Sequence, residues 1–331
     1  MRVAIYGVGS IGSMVTRELV RRGYEVACAI DVDPSKVGRD LGEVVGLGER
    51  LGVRVTDDPE ALVRAKPYAT IHATASYLDA VFEQLADIVR CGSHAVSTCE
   101  TLTYPHYRYP DLARELDKRA REAGVVVIGT GINPGFALDT LVFLMTTACL
   151  SVDRVVARRV VDASKRRAAF IRKIGVGLTP REFFEKLERG EITGHVGYAE
   201  SVMLIASALG VELDAVLESQ EPVVAESDVE VGGYSVPRGR VIGLRGEGVG
   251  YRAGEEFIRV EFSAYLGAED REEVVIEGDP PMHWVNAIGI HGDKATVAVL
   301  LNVLSSLDRL EPGLRTMRDL VLVSWRAPRR S

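Results

Sequence analysis

Side-chain amides are scarce in this chain: asparagine occurs only at positions 133, 286 and 302, and glutamine only at 84 and 220. Arginine also far outnumbers lysine. Few thermolabile amides point to a thermophilic source or to a GC-rich genome. Cysteine is nearly as rare. Cys28, Cys91, Cys99 and Cys149 show neither C-x-x-C spacing nor the density of a disulfide scaffold, so they read as reduced thiols of a cytoplasmic protein. The six histidines and four cysteines never gather at metal-ligand spacing, so no metal site is expected. Basic residues are not in excess: 40 Lys and Arg stand against 47 Asp and Glu, a net charge of −7 that argues against nucleic acid as the main partner. No run approaches the ~18 apolar residues of a membrane span. The greasiest long stretch, residues 136–150, carries Asp139 inside it. The first residues pass straight into a short apolar run and glycines, so neither a secretory leader nor a membrane association is expected.

What is present is enough for two cores: 331 residues, 47% of them apolar. Apolar runs at 2–6, 26–30, 53–55, 68–73, 95–97 and 125–128 read as buried strands alternating with amphipathic helices. In one of these helices Leu78, Val81, Phe82, Leu85, Ile88 and Val89 fall on one stripe. Alternation of this kind predicts a Rossmann-type, doubly wound parallel sheet, an α/β fold, over residues 1–133. From 134 to 292 the texture changes. A helix over 136–150 precedes strand-like runs at 152–161, 221–231, 241–245, 256–266 and 273–277, interrupted by helices at 180–188 and 197–208. The expectation is a second α+β domain on a mostly antiparallel sheet, binding substrate and forming a homodimer. The C-terminal segment 293–331, with a long apolar helix over 295–307 followed by Pro312-Gly313, is expected to pack back on the first domain.

Gly7-Val8-Gly9-Ser10-Ile11-Gly12 follows the first strand and opens a helix, and Asp31 lies 19 positions past Gly12 at the end of the second strand. In that context G-x-G-x-x-G reads as a dinucleotide turn. Gly7 permits the tight turn, Gly9 lets the backbone approach a pyrophosphate, and Gly12 lets helix and strand pack closely. The helix N-terminus supplies N–H groups for the anion. Asp31 suits the ribose hydroxyls of NAD, whereas Lys36 and Arg39 could meet the 2′-phosphate of NADP or stand as solvated charges. The expected cofactor is NAD or NADP, with NAD slightly favoured. Its contacts are Gly7, Gly9, Ser10, Ile11, Gly12, Asp31, Thr74, Ala75 and Thr98, the last three because ligands bind beyond the carboxyl ends of the strands. Glu100, directly after a strand and a Ser-Thr-Cys run, reads either as a helix-capping acid or as a general base.

The segments Ser97-Thr98-Cys99-Glu100 with Tyr104-Pro105, Gly129-Thr130-Gly131-Ile132-Asn133-Pro134-Gly135-Phe136, Lys173-Ile174-Gly175-Val176-Gly177-Leu178-Thr179, Gly194-His195-Val196-Gly197-Tyr198-Ala199-Glu200-Ser201 and Gly292-Asp293-Lys294-Ala295-Thr296 run almost from end to end of the chain. On them the chain resembles the 2,4-diaminopentanoate dehydrogenases and the related native amine dehydrogenases, a branch of the dihydrodipicolinate reductase-like superfamily. The resemblance implies reversible oxidative deamination of an amine, such as a 2,4-diaminopentanoate-like diamino acid, to a ketone and ammonia. It implies that Glu100 serves the ammonia chemistry and that Asn133, Arg159 and His195 line the substrate pocket. Many relatives carry a second Glu where this chain has Thr101. The His-His pair and the Lys-x-Asp-Ala-Pro-Ser-Gly-Thr segment of classical dihydrodipicolinate reductases are missing, which argues against their cyclic substrate. An imine reductase of that kind and a non-catalytic dinucleotide sensor stand as the alternatives.

Read without the family, these residues have ordinary roles too. Asn133 could simply tolerate a left-handed turn, and His195 could cap the helix that follows it. Arg158 and Arg159 end an apolar strand, so alternation sends them to opposite faces, one to a carboxylate and one to solvent. His72 reads as a satisfied core histidine. His283 and Trp284 face either a partner or the pocket. Residues 165–173 form either a solvated basic loop or a lid.

Overall fold

The computed structural model describes residues 1–320. These divide into two compact units, one made of Met1–Gly135 with the chain from Asp293 onward, the other of Phe136–Gly292.

The first unit is a parallel sheet. Its strands in chain order are β1 (Arg2–Tyr6), β2 (Glu25–Ile30), β3 (Val55–Thr56), β4 (Ala69–His72), β5 (His94–Ser97) and β6 (Val126–Gly129). A seventh strand, Gly313–Arg315, pairs with β6, giving the order Gly313–Arg315, β6, β5, β4, β1, β2, β3. The order reverses between β1 and β4, which leaves a crevice at their carboxyl ends. Leu78, Val81, Phe82, Leu85, Ile88 and Val89 of the Leu78–Arg90 helix are all buried, as the stripe requires. The helix Pro110–Ala123 buries Ala113, Leu116 and Ala120 beside it, starts with proline in its first turn and stops at Gly124 in the left-handed region.

The second unit carries a six-stranded mixed sheet, mostly antiparallel. The remaining strands are β7 (Ser151–Asp162), β8 (Ala215–Val224), β9 (Val229–Val231), β10 (Tyr234–Val236), β11 (Val241–Arg252), β12 (Glu255–Tyr265), β13 (Arg271–Asp279) and β14 (Met282–Asn286). The six run in the order β14, β13, β7, β12, β11, β8, with β7 and β12 parallel, while β9 and β10 pair separately. The helix Tyr198–Leu209 packs on the sheet because β11 is smooth beneath it. A Cβ at Gly248 would press on the Tyr198 backbone, and one at Gly246 would fall on Ser219 and the Tyr198 hydroxyl.

Three expectations are corrected here. The apolar run 136–150 is not one helix from Pro134. Buried Asp139 accepts the Thr140 N–H at 2.6 Å and starts a short helix, Thr140–Met145. The strand expected over 221–231 is β8 and β9, and β14 was not foreseen. In the terminal segment the helix read over 295–307 is present, but the strand after it was not foreseen. The helix Gly292–Leu304 gives way to the 3-10 turn Leu307–Arg309 and then to a sheet strand; Pro312-Gly313, unsuited to a helix interior, lies in that break. The part of that expectation over 321–331 lies outside the described residues.

Candidate functional site

The glycine turn is built by close approach. Gly7 has a φ of +97°, and a Cβ there would strike the Ala73 carbonyl at the end of β4. At Gly12 a Cβ would strike the Gly7 carbonyl, so helix Ser10–Arg21 can sit this close to β1 only with glycine there. A Cβ at Gly9 would meet nothing within 4 Å. The helix it caps has no acid in its first turn, leaving its N–H groups a hospitable place for an anion. Asp31 is attached to this turn. Its Oδ2 accepts the Val8 N–H at 2.8 Å and the Lys36 Nζ–H at 3.1 Å, and its Oδ1 accepts the Asp33 N–H at 2.9 Å. Lys36 also lies 3.3 Å from Asp33, and the two carboxylates hold its ammonium above the ordinary lysine pKa despite partial burial. These residues fit a dinucleotide: an open glycine at a helix N-terminus, and an acid beyond the second strand.

Next to the turn, at the carboxyl ends of β4 and β5, lie Thr74, Ala75, Thr98 and Glu100. The Thr74 hydroxyl donates to Gln84 Oε1 at 2.7 Å and lies 2.9 Å from His72 Nε2. Thr98 donates its N–H to the His72 carbonyl at 2.9 Å. Glu100 is half-buried and opens the 3-10 turn Glu100–Thr103. That turn lies against the end of β6 because Gly129 has no side chain; a Cβ there would collide with Leu102. Thr101 is fully buried. Its hydroxyl accepts the Leu78 N–H at 2.8 Å and so caps the Leu78–Arg90 helix from outside. Burial pushes the neighbouring Cys99 thiol up to about 12, so it stays protonated. Asn133 is half-buried in the Gly129–Gly135 turn that leaves β6.

In the second unit the expected substrate residues Arg159 and His195 gather at one row of the mixed sheet, Arg159 within it and His195 against its Phe262. Register aligns Gln220 of β8 with Gly246 of β11, Phe262 of β12, Arg159 of β7, Glu272 of β13 and Asn286 of β14. Each strand contributes one side of the same rung. Arg159 is 1% exposed; its Nε lies 3.1 Å from Glu272 Oε1 and its Nη2 donates to the Ile290 carbonyl at 2.8 Å. Glu272 in turn accepts the Ile290 N–H and the Asn286 Nδ2–H, both at 3.0 Å. Arg158 turns to the opposite face, where it pairs with Glu261 and Glu273 at 2.8 and 3.4 Å. The alternation expected of the pair is thus present, but the Nε–Nη2 edge of Arg159 is engaged within the protein.

His195 is fixed above this row. Its N–H donates to Gln220 Oε1 at 2.9 Å, and its ring stands edge-on to Tyr198 (4.6 Å between centroids, 85°) and tilted on Phe262 (4.5 Å). Burial, with the positive charges of Lys173 and Arg159, drives the imidazole well below its usual pKa and keeps it neutral. A neutral ring can both donate and accept. Buried Tyr198 Oη has no hydrogen-bond partner among the described residues. Residues 165–173 run from the end of the 3-10 turn Ala163–Lys165 into the short helix Ala168–Lys173, with Lys165 bound to Asp270 at 2.7 Å. His283 meets Glu273 at 2.7 Å. Sequence reading missed Gln220, Phe262 and Glu272; strand alternation flags them as inward-facing, but only the register puts them on one rung.

The family model described as the 2,4-diaminopentanoate dehydrogenase C-terminal domain matches residues 136–327. The chain is 31% identical over 329 residues to a 2,4-diaminopentanoate dehydrogenase of Acetoanaerobium sticklandii, covering 97% of this chain and 93% of that one. It is 27% identical over 346 residues to an amine dehydrogenase of Streptomyces virginiae, covering 96% and 95%. The solved structure of an amine dehydrogenase from Mycobacterium smegmatis superimposes with a TM-score of 0.88 at 27% identity, over 98% of this chain and 97% of that one. The segments that suggested the resemblance therefore identified it correctly, and the chain belongs to the 2,4-diaminopentanoate dehydrogenase family.

Proposed function

We propose that the protein is a nicotinamide-dependent amine dehydrogenase that converts a diamino acid of the 2,4-diaminopentanoate type to a ketone and ammonia, and runs in reverse as a reductive amination. The observation that carries this reading is the Glu100 carboxylate, on the turn leaving β5 in the same unit as the glycine turn. The relatives are named as dehydrogenases of amines, which favours this over an imine reductase or a sensor.

A bound nicotinamide supplies the hydride acceptor. Glu100 takes a proton from the substrate ammonium, freeing the lone pair that expels hydride from the carbon, and passes that proton to solvent, so that its restored negative charge steadies the iminium so formed. The same carboxylate then takes a proton from the water that adds to the iminium. It returns that proton to nitrogen and then takes the hydroxyl proton of the carbinolamine as ammonia leaves and the ketone forms. Asn133 and the neutral His195 offer hydrogen bonds to the substrate. Arg159 contributes a fixed positive charge for its carboxylate, through field and through Nη1 rather than through Nη2, which Ile290 holds, or Nε, which faces Glu272.

Gly7, Gly9, Ser10, Ile11 and Gly12 hold the pyrophosphate in this reading, Asp31 the ribose, and Thr74, Ala75 and Thr98 the nicotinamide side. Asp31 favours NAD. Lys36, paired to it, offsets that acid and leaves NADP usable. The second unit is assigned substrate binding and homodimer formation, and the free thiols suit a cytoplasmic setting. A panel of diamino acids and simple amines, scanned for nicotinamide reduction with both dinucleotides, tests the assignment. 2,4-Diaminopentanoate should lead, and the reverse reaction should depend on ammonium. Reduction of a preformed imine without ammonium dependence would refute it.

A further inference from the structure

Behind the Glu100 turn lies a buried relay to which the reaction above gives no role. His72, the last residue of β4, is fully buried with its ring edge-on to Tyr6. Its Nε2 lies 2.8 Å from Gln84 Oε1 and its Nδ1 lies 2.8 Å from Ser97 Oγ. Nε2 also lies 2.9 Å from Thr74 Oγ, whose proton goes to Gln84 Oε1, and Gln84 Oε1 itself only accepts, so the ring proton sits on Nε2. Nδ1 then presents a lone pair, and the Ser97 hydroxyl donates to it. Having donated its one proton, Ser97 Oγ accepts the Cys99 N–H at 3.0 Å. One assignment satisfies every group in the chain from Gln84 to the Cys99 backbone. Burial holds the ring down to about 4, so it is neutral throughout the working range.

The relay ends one residue before Glu100. On the other side Thr101 donates its N–H to the Ser76 carbonyl at 3.1 Å and accepts the Leu78 N–H through its hydroxyl. Glu100 therefore stands between two pinned neighbours. The Thr101 pin joins local backbone; the Cys99 pin reaches back through Ser97 to an imidazole on the next strand. A serine alone could accept the Cys99 N–H, but without Nδ1 its hydroxyl has no fixed direction.

We propose that His72 is a positioning residue for Glu100: acting through the Ser97 hydroxyl, it fixes the Cys99–Glu100 backbone so that the carboxylate leaves β5 in one direction. This rests on Glu100 being the proton acceptor. Since a displacement of about 1 Å can lower turnover by a hundredfold, loss of the relay should appear in kcat rather than in dinucleotide binding.

The two amide replacements of His72 separate this from a packing role. His72→Asn brings an amide oxygen near the Nδ1 position and preserves the acceptor for Ser97. His72→Gln carries its amide near Nε2 and removes it. Ser97→Ala cuts the relay with the loss of one atom and serves where His72→Gln folds poorly. With 2,4-diaminopentanoate as substrate, His72→Gln and Ser97→Ala should each lower kcat about 10- to 100-fold at unchanged dinucleotide Kd. Their combination should be no worse than the poorer single variant, and His72→Asn should recover kcat to within a few-fold of the parent. Wild-type kcat in folded His72→Gln and Ser97→Ala overturns the proposal, as does a loss in His72→Asn equal to that in His72→Gln. Glu100→Gln measured alongside separates the two claims: if it is inactive while the relay variants run at full speed, only the relay fails. If it turns over normally, the reading of Glu100 fails and the relay has nothing to position.

Discussion

Arg159 and Glu272 face each other across neighbouring strands with their charges 3.1 Å apart and their side chains 1% and 2% exposed. Burial pushes both toward their neutral forms, Arg159 down to about 10 and Glu272 upward, with the partner's charge only partly offsetting it. Such a pair stabilises little as a unit, but breaking it leaves one buried charge uncompensated. Glu272→Ala should therefore cost about 3–5 kcal/mol in denaturant unfolding. Glu272→Gln, which keeps an oxygen for Ile290 N–H, should cost less. Equal stability of Glu272→Ala and the parent would show that Arg159 finds its compensation elsewhere.

The dinucleotide preference should move with Lys36. Its ammonium bridges Asp33 and Asp31, the acid proposed to hold the ribose. Lys36→Ala should weaken NADP relative to NAD by about tenfold in kcat/KM, the size of one charge-assisted contact to a phosphate. Parallel initial-rate measurements with both dinucleotides check it. A ratio that stays put would assign the 2′-phosphate to Arg39 or to no cation at all.

Stability should fall on the acid side. His72 ionises near pH 6.5 when unfolded but near 4 when folded. Between these values the unfolded chain binds a proton that the native one does not. The stabilisation is fully present above about pH 6.5 and is lost as pH falls toward 4, amounting to about 3 kcal/mol over that window. His195, lowered in the same sense, adds to the slope. Urea unfolding at pH 7 and pH 4.5 should show the loss, and His72→Asn should reduce it. A flat profile in the parent would contradict a neutral His72.

Gly246 is the rung position that no side chain can occupy. A methyl there meets the Ser219 carbonyl, the Tyr198 hydroxyl and the Gln220 side chain. Gly246→Ala should destabilise by about 1–3 kcal/mol through overpacking. Because Gln220 also holds the His195 backbone, it should raise KM for the amine more than for the dinucleotide. Equal KM changes for both would detach the rung from substrate binding.

How much of this could be read from the residues alone follows from how far apart the partners lie in the chain. The glycine turn and Asp31 were legible because a strand, a turn and a helix in direct succession carry the whole signal. The place of Glu100, on the turn that leaves β5, was legible for the same reason. The Arg159–Glu272 pair and the Gln220-to-Asn286 row were not. They depend on strand order, including the parallel β7–β12 crossover, which local alternation does not encode. The second half of β11 escaped because Gly246, Gly248 and Gly250 lower its strand propensity, while packing under the Tyr198–Leu209 helix requires them. The 136–150 run was read as one helix because an apolar stretch hides a capping acid when that acid is itself buried.

The most direct test of the account is the steady-state turnover of Glu100→Gln with 2,4-diaminopentanoate, read beside its dinucleotide Kd. Glutamine keeps the shape and removes the basic oxygen. The account predicts a loss in kcat of at least about a hundredfold at unchanged dinucleotide affinity. Turnover within a few-fold of the parent would contradict it.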